Sequence, residues 1–131
     1  MQVQYLSPLI VERVDRGWRL HSEFRVKVDA EVVTVPAGYD TDFASVPRLP
    51  LAFYLAGGRG VRAATLHDYL YEKQHPRKWA DSVFYHALLA EGEPEVIAKA
   101  MHDAVRLAGG SQYRDDGPAL EVVTVDSVPT P

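Results

Sequence analysis

The sequence predicts an α+β fold: an N-terminal antiparallel β meander, then an irregular loop, then a three-helix segment. Three observations support this prediction. Up to about residue 36, short β-branched and alternating runs are separated by Gly and Asp. A stretch interrupted by Pro and Gly follows. Apolar residues then recur at i, i+3, i+4 spacing from about residue 61 to 108. Strands followed by helices favour an α+β domain over a parallel βαβ fold.

Length and composition indicate one globular domain over residues 1–131. The chain has 47% apolar and 24% charged residues, which excludes a disordered chain, a collagen and a coiled coil. The absence of cysteine excludes a disulfide scaffold, a cysteine nucleophile and a thiolate zinc site. The net charge of -4 argues against a nucleic-acid partner. No apolar run approaches the ~20 residues of a transmembrane segment, so none is expected.

The strand region is expected over about residues 3–36. Leu9–Val14 and Trp18–Leu20 flank a Gly-containing break, which is typical of a hairpin. Phe24–Val28 alternates apolar and charged residues, as a half-buried strand does. The β-branched run Glu31–Val35 predicts a further strand. Together these segments predict a meander of three to five strands.

An irregular loop is expected over residues 37–60, because Pro and Gly prevent any long regular element there. Long loops in compact domains are often functional. An extended tail is expected over residues 111–131. Its short apolar run, Leu120–Val125, is a candidate added strand, and its last residues are expected to fray.

Three helices are expected between about residues 61 and 108. The first runs from about Val61 to Lys73, the second from about Lys78 to Ala90, and the third from near Glu93 to Ala108. The residues expected to face inward are Ala63, Leu66, His67, Leu70 and Tyr71, then Ala80, Val83, Phe84, Ala87 and Leu88, then Ile97, Ala100, Met101, Ala104, Val105 and Ala108.

The segment His67–Tyr71 (HDYLY) carries the most chemistry. A helix places His67 and Tyr71 on one face, with Asp68 about a quarter turn away. Asp81 lies soon after the short turn that joins the first two helices. Helices joined in this way pack as antiparallel neighbours, and a rise of about 1.5 Å per residue brings His67 and Asp81 to nearly the same height. We therefore predict a His67–Asp81 contact, with His67, Asp81 and Tyr71 as candidate catalytic residues.

The predicted His67–Asp81 contact has two interpretations. A carboxylate bound to one ring nitrogen fixes the tautomer of an imidazole and raises the basicity of the other nitrogen, as in a general-base site. The same contact is also expected of a buried polar pair that only joins two helices. A hydrolase predicts a concave opening at His67, whereas a structural pair predicts a buried His67 without a cavity.

The loop segment Thr41–Arg48 (TDFASVPR) holds further candidates. Asp42 and Ser45 can build turns by bonding nearby backbone N–H groups. Arg48 can pair with Asp42, Asp68 or Asp81. The loop either covers the helical hairpin with apolar side chains or places Asp42, Ser45 and Arg48 at a substrate site beside His67.

In order along the chain, three motifs resemble a family of domains of unknown function encoded by tailed phages and prophages. They lie in Gly38–Arg48 (TDFASVPR), His67–Tyr71 (HDxLY) and Arg77–Phe84 (ADxxF), and the resemblance covers roughly residues 20–110. It implies a phage or prophage origin and an accessory or virion-associated role at the tail or late stage. It also implies a virion or host protein as partner, and a location in the host cytoplasm or the virion.

His67–Tyr71 is also similar to the His-Asp-x-x-Tyr helix of secreted and viral phospholipases A2. That resemblance implies that His67 activates a water, Asp68 binds calcium and Asp81 orients His67. It further implies a lipid substrate and calcium as cofactor. Tyr54–Gly60 is similar to the glycine-rich calcium loop of those enzymes, although it lies nearer the helix.

The sequence is therefore consistent with three functions. The first is a small phage accessory or virion-associated protein whose His67–Asp81 pair is mainly structural. The second is a hydrolase of a lipid or cell-wall ester with His67 as general base. The third is an interaction or inhibitor module that uses the loop 39–60.

Overall fold

The computed structural model describes residues 1–15, 17–41 and 60–108. Six strands precede three helices in these residues, which confirms the predicted α+β class. The predicted loop, apart from its two ends, and the tail with its candidate strand lie outside the described residues. The elements are β1 (Val3–Tyr5), β2 (Val11–Val14), β3 (Gly17–Leu20), β4 (Phe24–Val28), β5 (Glu31–Val35), β6 (Asp40–Thr41), α1 (Val61–Glu72), α2 (Arg77–Ala90) and α3 (Glu95–Ala108).

The strands form two antiparallel three-stranded sheets in the described part of the chain, whereas the prediction was a meander of three to five strands. The strand orders are β1-β4-β5 and β2-β3-β6. β1 pairs with β4 through Val3↔Val28, which skips the β2–β3 hairpin. β6 lies where only loop was expected and pairs with β3 through Trp18↔Thr41. Both pairings join residues distant in sequence, and local hairpin signals carry no information about such partners.

The predicted hairpin between β2 and β3 is confirmed. β2 and β3 pair from Val11↔Leu20 to Val14↔Gly17, and Gly17 has a φ of 108° that favours glycine. β4 and β5 pair along their whole length. Asp29 in the turn between them accepts a hydrogen bond from the Gln2 backbone N–H at 2.8 Å, and this bond fastens β1 beside β4.

The helices begin and end within one or two residues of the predicted positions. α1 ends at Glu72 because Gln74 adopts a left-handed backbone and Pro76 precedes α2. The predicted inward faces of α1 and α2 are confirmed. The predicted face of α3 is wrong at Ala100, which is exposed, whereas Ala98 is buried. α3 packs mainly on α2, so only a narrow stripe of its surface is covered.

The core lies between the β1-β4-β5 sheet and the helical hairpin. Every second side chain of β4 is fully buried, and α2 lies between α1 and α3 with β1 against it. The phenol of Tyr5 in β1 donates a hydrogen bond to the Ala87 carbonyl of α2 at 2.9 Å. Among the described residues, no helix combines the length and apolarity that crossing a bilayer requires.

Candidate functional site

The centre of the site is the carboxylate of Asp81, in the second turn of α2. His67 Nε2 lies 2.7 Å from Asp81 Oδ1, so the predicted contact across the helical hairpin is confirmed. Both side chains are fully buried. The contact forms because α1 and α2 are antiparallel and a turn of four residues joins them.

Two further donors reach the same carboxylate. The Tyr71 hydroxyl, one turn beyond His67, donates to Asp81 Oδ1 at 2.6 Å. Arg106 Nη1, from α3, donates to Asp81 Oδ2 at 2.8 Å. Each carboxylate oxygen therefore accepts at least one hydrogen bond, and the three donors come from two different helices.

The donors determine the charge of Asp81. Burial by itself would raise the pKa of this carboxyl, but the contacts with His67, Tyr71 and Arg106 outweigh burial and hold the pKa below its ordinary value of 3.8. Asp81 is thus an ionised acceptor at neutral pH. Because a carboxylate can only accept, the shared proton of the pair resides on His67 Nε2. Burial, followed by the Asp81 charge, raises the pKa of the Tyr71 phenol far above its ordinary value of 10.0, so it remains a donor.

Aromatic rings enclose the imidazole. The His67 ring centroid lies 4.2 Å from that of Tyr71 and 4.7 Å from that of Phe84. These contacts and the bond to Asp81 restrict the ring to one orientation. The arrangement can hold an imidazole in a defined tautomer, which suits both a structural polar pair and an oriented base.

Arg106 is the site residue that sequence reasoning missed. Its side chain is about three-quarters buried, while its own backbone carbonyl accepts a hydrogen bond from the Arg77 guanidinium at the start of α2. That bond satisfies one of the exposed carbonyls at the end of a helix. Position 106 borders the apolar face of α3. The sequence does not indicate how α3 packs on α2, and that packing brings Arg106 to Asp81.

Asp68 belongs to a separate cluster. Its Oδ2 accepts hydrogen bonds from the Tyr39 hydroxyl at 3.1 Å and from Thr41 Oγ1 at 2.5 Å. Asp68 therefore joins α1 to β6, on a different side of α1 from the buried His67. Burial, then the Asp68 and Glu72 charges, raise the pKa of Tyr39 far above 10.0. Asp68 is the described residue predicted to bind calcium, and that role stays a prediction.

The predicted loop candidates Asp42, Ser45 and Arg48 lie outside the described residues, as do the glycine-rich positions before Gly60. The structure therefore brings together His67, Tyr71 and Asp81, and places Asp68 apart from them. The interaction-module hypothesis depends mostly on positions 42–59 and stays a prediction.

A family model matches residues 18–105, about two thirds of the chain. Its description is a protein of unknown function, DUF1353. The chain belongs to this family. Neither the curated proteins nor the solved structures compared with it contain a significant match.

Membership of DUF1353 confirms the predicted class, a family of domains of unknown function. The matched range contains His67, Tyr71 and Asp81, and it ends one residue before Arg106. The phage association and the three specific motifs stay predictions. What the site does must therefore be inferred from its geometry.

Proposed function

We propose that this DUF1353 protein is a small phage-encoded accessory or virion-associated protein in which the His67–Asp81 pair is structural. One observation carries the structural half of the proposal: both side chains are fully buried, and both oxygens of Asp81 accept hydrogen bonds from within the protein. The resemblance of the motifs to tailed-phage and prophage proteins supports the proposed role as a phage accessory or virion-associated protein.

The geometry favours a structural pair over a base. A general base must come within about 3 Å of the proton that it removes, or reach it through one water. His67 has no exposed surface through which a substrate could approach in this arrangement. Asp81 instead receives side chains from α1 and α3 while it belongs to α2, so one carboxylate joins α1, α2 and α3. Such a buried network defines a single packing of the helices, which suits a rigid binding protein.

The test is a deletion of the gene from its prophage, with complementation by the wild type or by His67→Gln. We expect the deletion to lower the yield of infectious particles, and the wild-type protein to sediment with purified particles or a particle precursor. His67→Gln, once shown to fold, should restore the yield because no imidazole chemistry is needed. Unchanged yield in the deletion would overturn the accessory role. A folded His67→Gln protein that fails to complement would overturn the structural role of the pair.

A hydrolase is the second candidate, and one observation favours it. Asp81 binds His67 Nε2 at 2.7 Å, and a carboxylate bound to one ring nitrogen orients a general-base imidazole. In this function His67 would activate a water toward a lipid or cell-wall ester, Tyr71 would hold Asp81, and Asp68 would bind calcium. A substrate would have to reach His67 through a rearrangement of its surroundings.

Ester and lipid hydrolysis, measured with and without calcium, separates the two candidates. The hydrolase requires that wild type turns over substrate, that His67→Gln abolishes turnover, and that Asp68→Asn weakens the calcium response. Circular dichroism of each variant controls for folding. Equal rates of hydrolysis by wild type and His67→Gln would contradict the hydrolase function.

A further inference from the structure

An open cleft of about 670 Å³ lies on the molecule away from the His67 site. It is formed where the segment before β2, the first turn of α1 and the turn between α2 and α3 come together. This volume lies within the range of small-molecule sites. The lining residues are Pro8, Leu9, Val11, Gly60, Val61, Arg62, Glu91, Gly92 and Glu93.

Arg62 is held rigidly in the wall of this cleft. Its Nε donates to Glu91 Oε2 at 3.2 Å, and its guanidinium carbon lies 4.3 Å from the centroid of the Tyr5 ring. Glu91 is itself fixed, because its Oε1 accepts the Ala63 backbone N–H at 3.1 Å. In the described part of the chain, Glu91 is the only hydrogen-bond acceptor that Arg62 meets, and 40% of the Arg62 side chain is exposed. Its two terminal amino groups are therefore available to a ligand.

Arg62 is the cationic side chain among the described lining residues, which also include two carboxyl groups, Glu91 and the buried Glu93. The Glu91 carboxylate is already engaged by the Arg62 Nε and by the first turn of α1. Burial raises the pKa of Glu91 above its ordinary value of 4.5, although the bonds from Ala63 and Arg62 oppose this shift. A second anion in the cleft would thus find a preoriented guanidinium edge with two amino groups, which matches the two oxygens of a carboxylate.

We propose that this cleft binds a small carboxylate that carries an apolar body, with Arg62 as the carboxylate anchor. The apolar body would lie on the wall formed by Pro8, Leu9 and Val11. An anion without an apolar part would leave that wall in water, and an uncharged apolar molecule would leave the guanidinium edge without an acceptor. The site is separate from the His67 network and does not depend on the function proposed above.

A nuclear magnetic resonance titration of the ¹⁵N-labelled full chain tests this proposal, with sodium octanoate as the probe. Octanoate should cause saturable shifts of the Gly60, Val61 and Gly92 amides. Octan-1-ol, which has the chain without the charge, and acetate, which has the charge without the chain, should each bind at least about tenfold more weakly. Equal affinity for octanoate and octan-1-ol, or shifts that avoid these amides, would overturn the proposal.

Substitutions in the cleft test whether Arg62 is the carboxylate anchor. Arg62→Gln should weaken octanoate binding by about tenfold or more, because a charged hydrogen-bonding pair is lost. Arg13→Gln is the matched control, since Arg13 also stacks on an aromatic ring, Trp18, but does not line the cleft. Should Arg62→Gln not fold, Pro8→Asp places a negative charge on an exposed position of the wall, and it should weaken octanoate more than octan-1-ol. Unchanged octanoate affinity in folded Arg62→Gln, or in folded Pro8→Asp, would overturn the assignment.

Discussion

His67 Nε2 lies 2.7 Å from Asp81 Oδ1, at a place where neither side chain reaches solvent. Because Arg106 binds the other oxygen of Asp81, the carboxylate joins α1, α2 and α3 at one point. A buried charge is costly unless every lone pair finds a donor. The stability of the helical half of the protein should therefore depend strongly on this carboxylate and on its donors.

Asp81→Asn should lower the free energy of unfolding at neutral pH by about 3–5 kcal/mol, since it breaks a buried ionic network. The folded-state pKa of Asp81 is below the ordinary value of 3.8, so the carboxylate stabilises the fold above that value. This contribution is lost as pH falls through the folded-state pKa. Urea unfolding of wild type and variant at a series of pH values should show the largest difference at neutral pH and a smaller one in acid.

Asp103→Asn is the control for the Asp81 prediction. The hydrogen bonds of His102 and Lys99 also lower the pKa of Asp103, but its side chain is half exposed. Its loss should cost much less than the loss of Asp81, because solvent screens surface ion pairs. Similar losses in the two variants would show that burial of Asp81 does not strengthen its network.

Tyr71→Phe should destabilise the protein by about 1–3 kcal/mol, because it removes a 2.6 Å hydrogen bond to a buried carboxylate without changing the shape of the ring. Tyr85→Phe is the matched control, since its hydroxyl donates to Glu95 at 3.3 Å on the surface. Chemical denaturation of both variants tests the difference. Equal stability of Tyr71→Phe and wild type would mean that the phenol contributes nothing to the network.

Arg106→Met should cost about 1.5–3 kcal/mol, because Asp81 Oδ2 loses its charged donor while the apolar part of the side chain is kept. Lys99→Met on the same helix breaks only an exposed i, i+4 pair with Asp103, and it should cost much less than Arg106→Met. Hydrogen exchange of the α3 amides tests whether the loss of stability comes from weaker docking of α3. Faster exchange across α3 in Arg106→Met alone is expected, and unchanged exchange would contradict a role for Arg106 in docking α3.

The local part of this architecture could be predicted from the sequence. Apolar spacing locates α1 and α2 to within a residue or two, and the short turn between them brings His67 and Asp81 to one height. Both inferences use information contained within about 20 neighbouring positions, where helix geometry leaves few alternatives. The buried face of α1 and its contact with α2 followed for the same reason.

The partners from distant positions could not be predicted. Nothing near Asp81 indicates that Arg106 would reach it, because that contact depends on how α3 lies on α2. The same holds for Thr41 and Tyr39, which meet Asp68 only because β6 pairs with β3. Glu91 is a third such partner, because it accepts the Ala63 N–H in the first turn of α1. Gly60, which precedes that turn, has no side chain to cap the helix.

Glu91→Gln should change the pH dependence of stability in the direction opposite to that expected for Asp81→Asn. Burial raises the pKa of Glu91 in the folded protein above its ordinary value of 4.5, so the folded state takes up a proton more readily than the unfolded chain. The wild type therefore gains stability relative to Glu91→Gln as pH falls from the folded-state pKa toward 4.5, and the difference levels off below. Glutamine keeps an acceptor for the Ala63 N–H, so the comparison isolates the charge.

Urea unfolding of wild type, Glu91→Gln and Asp81→Asn at matched pH values measures both slopes in one experiment. The stability of wild type relative to Glu91→Gln should rise toward acid, whereas its stability relative to Asp81→Asn should fall. The two changes in stability have opposite signs because the hydrogen bonds to Asp81 lower its pKa by more than burial raises it, whereas burial has the larger effect on the pKa of Glu91. Curves that run parallel for the two variants would contradict this distinction, since a general effect of acid on the fold acts on both comparisons alike.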